Sequence, residues 1–364
     1  MKKLLPLLLA GALLLGVSAC GGSGSNATPA PAASSPAASS PAASSPAGGE
    51  TDYSSLKVGV LLPGSPTDGG YCQQGADGIR AIEAKYGCQI SIIDSVTTAE
   101  VARAEAENMA AEGYTAVFGQ GGQFAEYFKE VAADYPDTWF VTNGGSITGD
   151  NQFPMCMSTE EGSYVCGVLG GKLSKSGTLG TVVSGDWPSF TKPCVGFALG
   201  AKSVNPDATV KFAVLSASNS NESYETVKNQ IQSGADVFFP NADEGNNGAV
   251  KAVSEADGVY SFGVFGDYIS GAPDKVLGNM MVDAPGAYVA AFDAIVSGEA
   301  TGDIMFLGMK DGIISFQWNE DLKATLPEEV VSEVEQTIED IKAGKIDIPN
   351  EYDIGETGID MYFN

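Results

Sequence analysis

Histidine is absent from all 364 residues, and that absence removes whole classes of chemistry. It excludes Ser-His and Cys-His catalysis, histidine-ligated zinc and a histidine pH switch. Six cysteines stand at 20, 72, 88, 156, 166 and 194 with no CxxC spacing, so structural zinc and thioredoxin-like exchange have no support. Their plainest role is as small buried hydrophobes, although one or two disulfides suit an exported chain. No metal and no cofactor is implied. What remains are carboxylates, aromatic rings and glycine turns, which suit recognition of a small molecule, with a carboxylate-only hydrolase as the rival.

Each candidate follows an apolar run. In SPTDGGYCQQGADGI (65–79), Asp68 places a carboxylate at the start of a helix, with a plain N-cap as its alternative role. In GQGGQF (119–124), Gly121 and Gly122 let backbone N–H groups approach a ligand. Phe124 in the last position breaks the GxGxxG pattern, and GVLGGKL (167–173) lacks the spacing and Ser/Thr of a P-loop, so nucleotide hydrolysis is unsupported. GDWPSF (185–190) puts Trp187 after another strand, with structural packing as its rival role. PNADEGNNGAV (240–250) offers Asp243 and Asn246, where turn and cap roles compete. In FGVFGDY (262–268), Asp267 is a carboxylate able to accept two neighbouring O–H donors.

The elements that must position these residues follow from hydrophobic patterning. Strand patterns lie at 57–62, 89–94, 114–119, 138–143, 178–184, 209–215, 235–240 and 260–266. Most are continuously apolar, as strands buried on both faces of a parallel sheet should be. Helical patterns lie between them at 71–86, 99–112, 122–135, 159–174, 188–204, 222–233 and 244–256. Such alternation predicts doubly wound α/β architecture. One block covers about 57–150; a second begins after PMCMS (154–158) and runs to about 270. VLGNMMV (276–282), a helix near 285–297 and IMFLG (304–308) come later. Ligands sit at strand C-terminal ends, so two such sheets facing each other make a cleft.

The N-terminus narrows the setting. MKKLLPLLLAGALLLGVSAC has two lysines, a leucine-rich stretch too short to span a membrane, and small residues before Cys20. Val17-Ser18-Ala19-Cys20 resembles a bacterial lipobox, which makes Cys20 a lipidation site on removal of residues 1–19. A Pro-Ala-Ala-Ser-Ser repeat follows at 31–47 and cannot bury a core, so it reads as a disordered tether. Hydrophobic residues form 43% of the chain, enough for real cores, while 46 acidic against 19 basic residues give −27. That charge repels nucleic acid and anionic lipid. A tethered, exported protein with a cleft suggests a solute receptor.

Six motifs in order carry a family resemblance. They are SPTDGGYCQQGADGI (65–79), YTAVFGQGGQFAEYFKEVAADYPDTWFV (114–141), STEEGSYVCGVLGGKLSKSGTLGTV (158–182), GFALGAKSVNPDATV (196–210), QSGADVFFPNADEGNNGAV (232–250) and FGVFGDY (262–268). Over about 57–345 the chain resembles the basic membrane protein (BMP/PnrA-like) family of lipoproteins, substrate-binding components of nucleoside ABC transporters. The resemblance implies an α/β, type I periplasmic-binding-protein fold, with two Rossmann-like lobes joined by a three-strand hinge. It implies lobe 1 at 56–158, with about 282–312 returning to it, and lobe 2 at 159–281 with about 313–364; residues 20–55 are the tether.

By the same resemblance Tyr71 stands where a family aromatic stacks on a purine, a contact of about 1–3 kcal/mol per base. Trp187 is then the opposing ring, Asp267 matches a carboxylate that holds ribose hydroxyls, and Cys72 replaces an asparagine. Val282 appears where the family commonly has a ligand-contacting lysine, which leaves a base, a different nucleoside or another small cyclic solute open. The implied partners are a purine nucleoside, ABC permease subunits and the membrane through the lipid, with no nucleic acid. The chain is expected to be a monomer and not an enzyme. The alternative is the same fold binding a sugar or signal molecule for transport or sensing.

Overall fold

The computed structural model describes residues 52–363, Gly69 excepted. The expected signal peptide, Cys20 and the tether up to residue 51 lie outside the described residues.

The chain first builds β1 (Lys57–Leu61), β2 (Gln89–Ile93), β3 (Ala116–Gly119), β4 (Trp139–Asn143) and β5 (Gln152–Met157). It then builds β6 (Thr178–Val183), β7 (Thr209–Val214), β8 (Val237–Asn241), β9 (Tyr260–Val264) and β10 (Val276–Val282). Two strands close the set, β11 (Met305–Leu307) and β12 (Ile314–Trp318). The first sheet has the order β11-β5-β4-β3-β1-β2, and every pairing in it is parallel. The second has the order β12-β10-β9-β8-β6-β7, parallel except that β12 runs antiparallel to β10. Central strands such as β3 (AVFG) are buried along their whole length, which is why they read as unbroken apolar runs.

Helices α1 (Tyr71–Tyr86), α2 (Ala99–Ala111) and α3 (Ala125–Ala132) flank the first sheet. Around the second come α4 (Thr159–Leu173), α5 (Pro188–Val204), α6 (Ser220–Gln232) and α7 (Gly245–Ser254). α8 (Ala284–Ser297) packs on α1, where Gly78 leaves the room that Tyr288 fills: a Cβ there would stand 2.4 Å from its ring. The tail carries α9 (Glu320–Lys323), α10 (Glu328–Lys342), α11 (Glu351–Thr357) and α12 (Asp360–Phe363). The glycines of GVLGGKL serve packing: a Cβ at Gly167 would lie 2.1 Å from the Phe197 carbonyl, and one at Gly200 would lie 2.1 Å from that of Tyr164. α4 and α5 therefore press together backbone to backbone. The five described cysteines are all buried and free.

Three segments pass between the lobes: β5 into α4, β10 into α8, and β11 into β12. Hydrogen bonds tie them into a hinge. Ser158 N donates to Leu307 O at 2.9 Å, Asp283 N to Ile313 O at 2.8 Å, and Met309 N to Glu161 Oε2 at 2.6 Å.

The structure departs from the sequence reading in places. PMCMS, read as a junction between blocks, lies in strand β5 as far as Met157, pairing with β4 through Pro154 opposite Thr142. A proline with methionine and cysteine neighbours lacks the β-branched signal. Helix 122–135 divides into a 3-10 turn at Gly122–Phe124 and α3. Edge strand β12 and amphipathic α10 were not anticipated as elements.

Candidate functional site

The strand ends of the first lobe are organised by a residue the motif reading passed over. Gln120 is fully buried in the turn after β3. Its Nε2 donates to the Tyr71 carbonyl at 2.5 Å, and its Oε1 accepts from Asn143 Nδ2 at 3.1 Å and from the Tyr288 hydroxyl. Complete burial raises the Tyr288 phenol well above its ordinary value, so it stays a donor. One side chain thus joins α1, β3, β4 and α8. The only sequence signal was a glutamine inside a glycine-rich turn.

This hub holds the backbone of Tyr71, whose ring stays 47% exposed. Burial at the hydroxyl end raises its phenol, helped by Cys72 and the Glu351 carboxylate. Asp68 points its carboxylate into the start of α1, accepting from the backbone N–H of Gly70 at 2.8 Å, Cys72 at 3.0 Å and Gln73 at 3.0 Å. Partial burial pushes that carboxyl up, but the three donors outweigh it and leave it below the usual range. Cys72 is buried, with its thiol against Gly64.

Gly121 adopts φ +128, a conformation favouring glycine, and Gly122 approaches the next turn so closely that a Cβ would sit 3.0 Å from the Gly145 backbone. The two glycine turns therefore pack on each other. Phe124 is buried and stacks on Phe128 in the core.

Across the molecule, Trp187 caps the N-terminus of α5 with its ring 64% exposed. Asn241, at the end of β8, donates to Ser189 O at 3.3 Å and Phe190 O at 2.9 Å, fixing the start of that helix. Asp243 follows with φ +49 and accepts from Ser218 Oγ at 3.2 Å. Burial raises its carboxyl, with Ser218 opposing. Asn246 is buried, accepting from Ala242 N at 2.7 Å and donating to Val264 O at 3.5 Å, so it links the β8 turn to the end of β9.

Asp267 is exposed beyond β9, accepting from Ser270 Oγ, from Ser270 N at 3.2 Å and from Asn279 Nδ2 at 3.3 Å. The Ser270 donors hold its carboxyl below the usual range. It borders a depression of about 570 Å³ that it shares with Asn247, Lys251, Ser254 and Tyr268.

A third group sits at the crossing itself. Lys192 of α5 is buried and donates to Met157 O at 2.9 Å and to Glu351 Oε2 at 2.8 Å; Glu160 Oε2 is 3.7 Å away. That last separation is an electrostatic contact and not a hydrogen bond, and Glu160 Oε2 has no hydrogen-bond partner. Burial pushes the Glu160 carboxyl up to about 7, with Lys192 opposing. Burial alone would depress the Lys192 ammonium, but Glu160 and Glu351 outweigh it and raise it. Beside Glu351, the Tyr352 hydroxyl donates to Gly145 O and lies 3.2 Å from Cys156 Sγ. The tail thereby touches the first lobe and, through Lys192, the second.

The structure therefore brings Asp68, Tyr71 and Cys72 together with the Gly121–Gly122 turn through Gln120, and Asp243 together with Asn246. Tyr71, Trp187 and Asp267 present exposed atoms at strand-end turns; Cys72, Phe124 and Asn246 are buried. Among the described residues no group of histidine, cysteine or carboxylate side chains could hold a metal ion.

Two largely parallel sheets joined by three crossing segments are the architecture of a two-lobed solute-binding protein. The sequence profile described as ABC transporter substrate-binding protein PnrA-like matches residues 55–352, and the chain belongs to that family, which binds solutes rather than catalysing reactions. A purine-binding protein of Brucella abortus is 28% identical over 294 residues, covering 80% of this chain and 82% of its own length. The transcriptional activator protein Med of Bacillus subtilis is 27% identical over 262 residues, 71% of this chain and 80% of that one. Among solved structures, a solute-binding protein of an Aeropyrum pernix ABC transporter system superposes with TM-score 0.63 at 19% identity, over 84% of this chain and 97% of its own. A transcriptional activator of the comK gene from Bacillus halodurans gives TM-score 0.69 at 21% identity, over 81% and 100%.

Proposed function

We propose that this substrate-binding protein captures a purine nucleoside or nucleobase between its lobes, as the lipid-anchored receptor of an ABC importer on the extracytoplasmic face of the membrane. The observation that carries the reading is Tyr71. A large ring is left half exposed while its carbonyl is locked by a fully buried glutamine. Such a ring stabilises the fold little and is oriented in advance for a planar partner. The relative named as purine-binding, and the lipobox-like ending at Cys20, support the ligand class and the anchor.

In this reading Tyr71 and Trp187 face the base from opposite lobes, and Asp267 accepts ribose hydroxyls through lone pairs not taken by Ser270 and Asn279. The Gly121–Gly122 turn, Asp68, Cys72, Phe124, Asp243 and Asn246 shape and support the walls. A sensing role is the second reading, favoured by the likeness to two proteins named as transcriptional activators.

Calorimetric titration with nucleosides, their free bases and sugars tests the ligand class. Purine nucleosides or bases should bind and sugars should not; sugar binding without purine binding overturns the proposal. The Asp267→Ala variant should lose roughly 100-fold affinity for ribosides and little for free bases. Equal losses for both would place Asp267 in the fold rather than at the sugar.

A further inference from the structure

Strand β9 ends at Val264, and the next residue, Phe265, carries a backbone φ of +61. A bulky L-residue in that region is a genuine outlier, because its Cβ crowds the neighbouring carbonyl. Glycine would adopt the turn freely, yet glycine stands one place later, at Gly266. The turn is also held from outside. Phe265 N donates to Met280 O at 2.9 Å, and Asn279 Oδ1 accepts from Tyr268 N at 3.3 Å. The neighbours Phe262 and Val264 are buried, whereas Phe265 is 40% exposed. A side chain that is both backbone-strained and wet is a poor choice for stability alone.

Its position explains it. Among the described residues the exposed aromatics are Tyr71, Trp187, Phe265 and Phe306. The first two open helices behind strand ends, and Phe265 directly follows one. In the second sheet β9 lies beside β8, and β8 beside β6, the strand before Trp187. At roughly 4.8 Å per strand, Trp187 and Phe265 leave the sheet about 10 Å apart, on either side of the Asp243 turn.

We infer that Phe265 is a ligand-contacting residue, a flat apolar wall of the second lobe that selects a planar heteroaromatic face. This rests on the proposed base-binding role of the cleft. The left-handed backbone turns the ring outward at the strand end, where an ordinary extended residue would continue the alternation of β9. Phe265 would then act with Trp187, so that the second lobe offers two rings where the first offers one.

The test uses the full chain, adenosine, guanosine and their free bases, with unfolding followed in the absence of ligand. Asparagine tolerates positive φ, so Phe265→Asn keeps the turn and removes the ring. It should melt within a few degrees of the parent and lose on the order of 10-fold to 100-fold affinity for nucleoside and base alike. Phe265→Tyr should bind within about threefold of the parent. Unchanged affinity in Phe265→Asn overturns the inference while leaving the purine-binding reading intact. A fall of more than about 10 °C in its melting point without ligand also overturns it, since the ring then serves the fold. If the parent binds none of the four compounds, the reading of the cleft and this inference fail together.

Discussion

The two lobes present their strand ends in different ways. In the first, the rim rests on buried side-chain hydrogen bonds: Gln120 alone joins Tyr71, Asn143 and Tyr288. The second has buried bonds of its own at Asn241 and Asn246, but its rim carries two of the three non-glycine residues with positive φ among those described, Asp243 and Phe265; the third, Ser95, follows β2 of the first lobe. It also carries the most exposed ring, Trp187. A hydrogen-bonded platform holds a shape in advance, whereas strained turns with wet rings hold shape at the expense of stability. The contrast teaches a division of labour. The first lobe supplies a rigid seat, and the second supplies side chains that become worthwhile only when something fills the cleft.

Removing the support between the lobes should have the largest effect on stability. Lys192→Met leaves the carboxylates of Glu160 and Glu351 buried without their cation, which should cost about 3–5 kcal/mol. Chemical unfolding measures it, and adding Glu351→Gln to the same chain should recover part of the loss. A Lys192→Met protein as stable as the parent would mean that the cluster is solvated and not the brace described.

Gln120→Ala comes next. It strands the Tyr71 carbonyl, the Asn143 amide and the Tyr288 hydroxyl, so about 2–3 kcal/mol should be lost together with ligand affinity. On the second lobe, Trp187→Ala should leave unfolding unchanged and cost only affinity, about 1–3 kcal/mol of stacking. Tyr71→Ala should lose a similar amount. If Trp187→Ala destabilises the unliganded protein as much as Gln120→Ala does, the contrast between the lobes is wrong.

A further effect should appear with pH. Burial raises the Glu160 carboxyl from 4.5 to about 7. The folded state therefore binds a proton more tightly than the unfolded chain does. Glu160's contribution to stability is fully present below about pH 4.5 and is lost as pH rises through 7. Glu160→Gln should flatten that segment of the stability profile. An unaltered profile would show that Glu160 is charged throughout.

Much of this architecture was legible in the residues. The patterns for α1 at 71–86, α5 at 188–204 and β10 at 276–282 have the observed bounds, because unbroken apolar runs and helical periodicity report burial directly. Strand β5 was not legible, since Pro154 and its sulfur-bearing neighbours carry no strand signature, and its place comes from β4 and β11 on either side. The hub was hidden for another reason. Gln120 meets Tyr288 across 168 residues, and Lys192 meets Glu351 across 159. Local spacing does not encode such meetings. The strain at Phe265 was equally silent, because the glycine that would signal a left-handed turn stands one place later, at Gly266.

The central claim is that the cleft takes up a purine solute. Mass spectrometry of the full chain under native conditions, after purification without added ligand and again after denaturation, tests it most directly. The account predicts a one-to-one complex that releases an ultraviolet-absorbing purine nucleoside or base on unfolding. Release of a sugar, or of an amino acid, in the same ratio would contradict it.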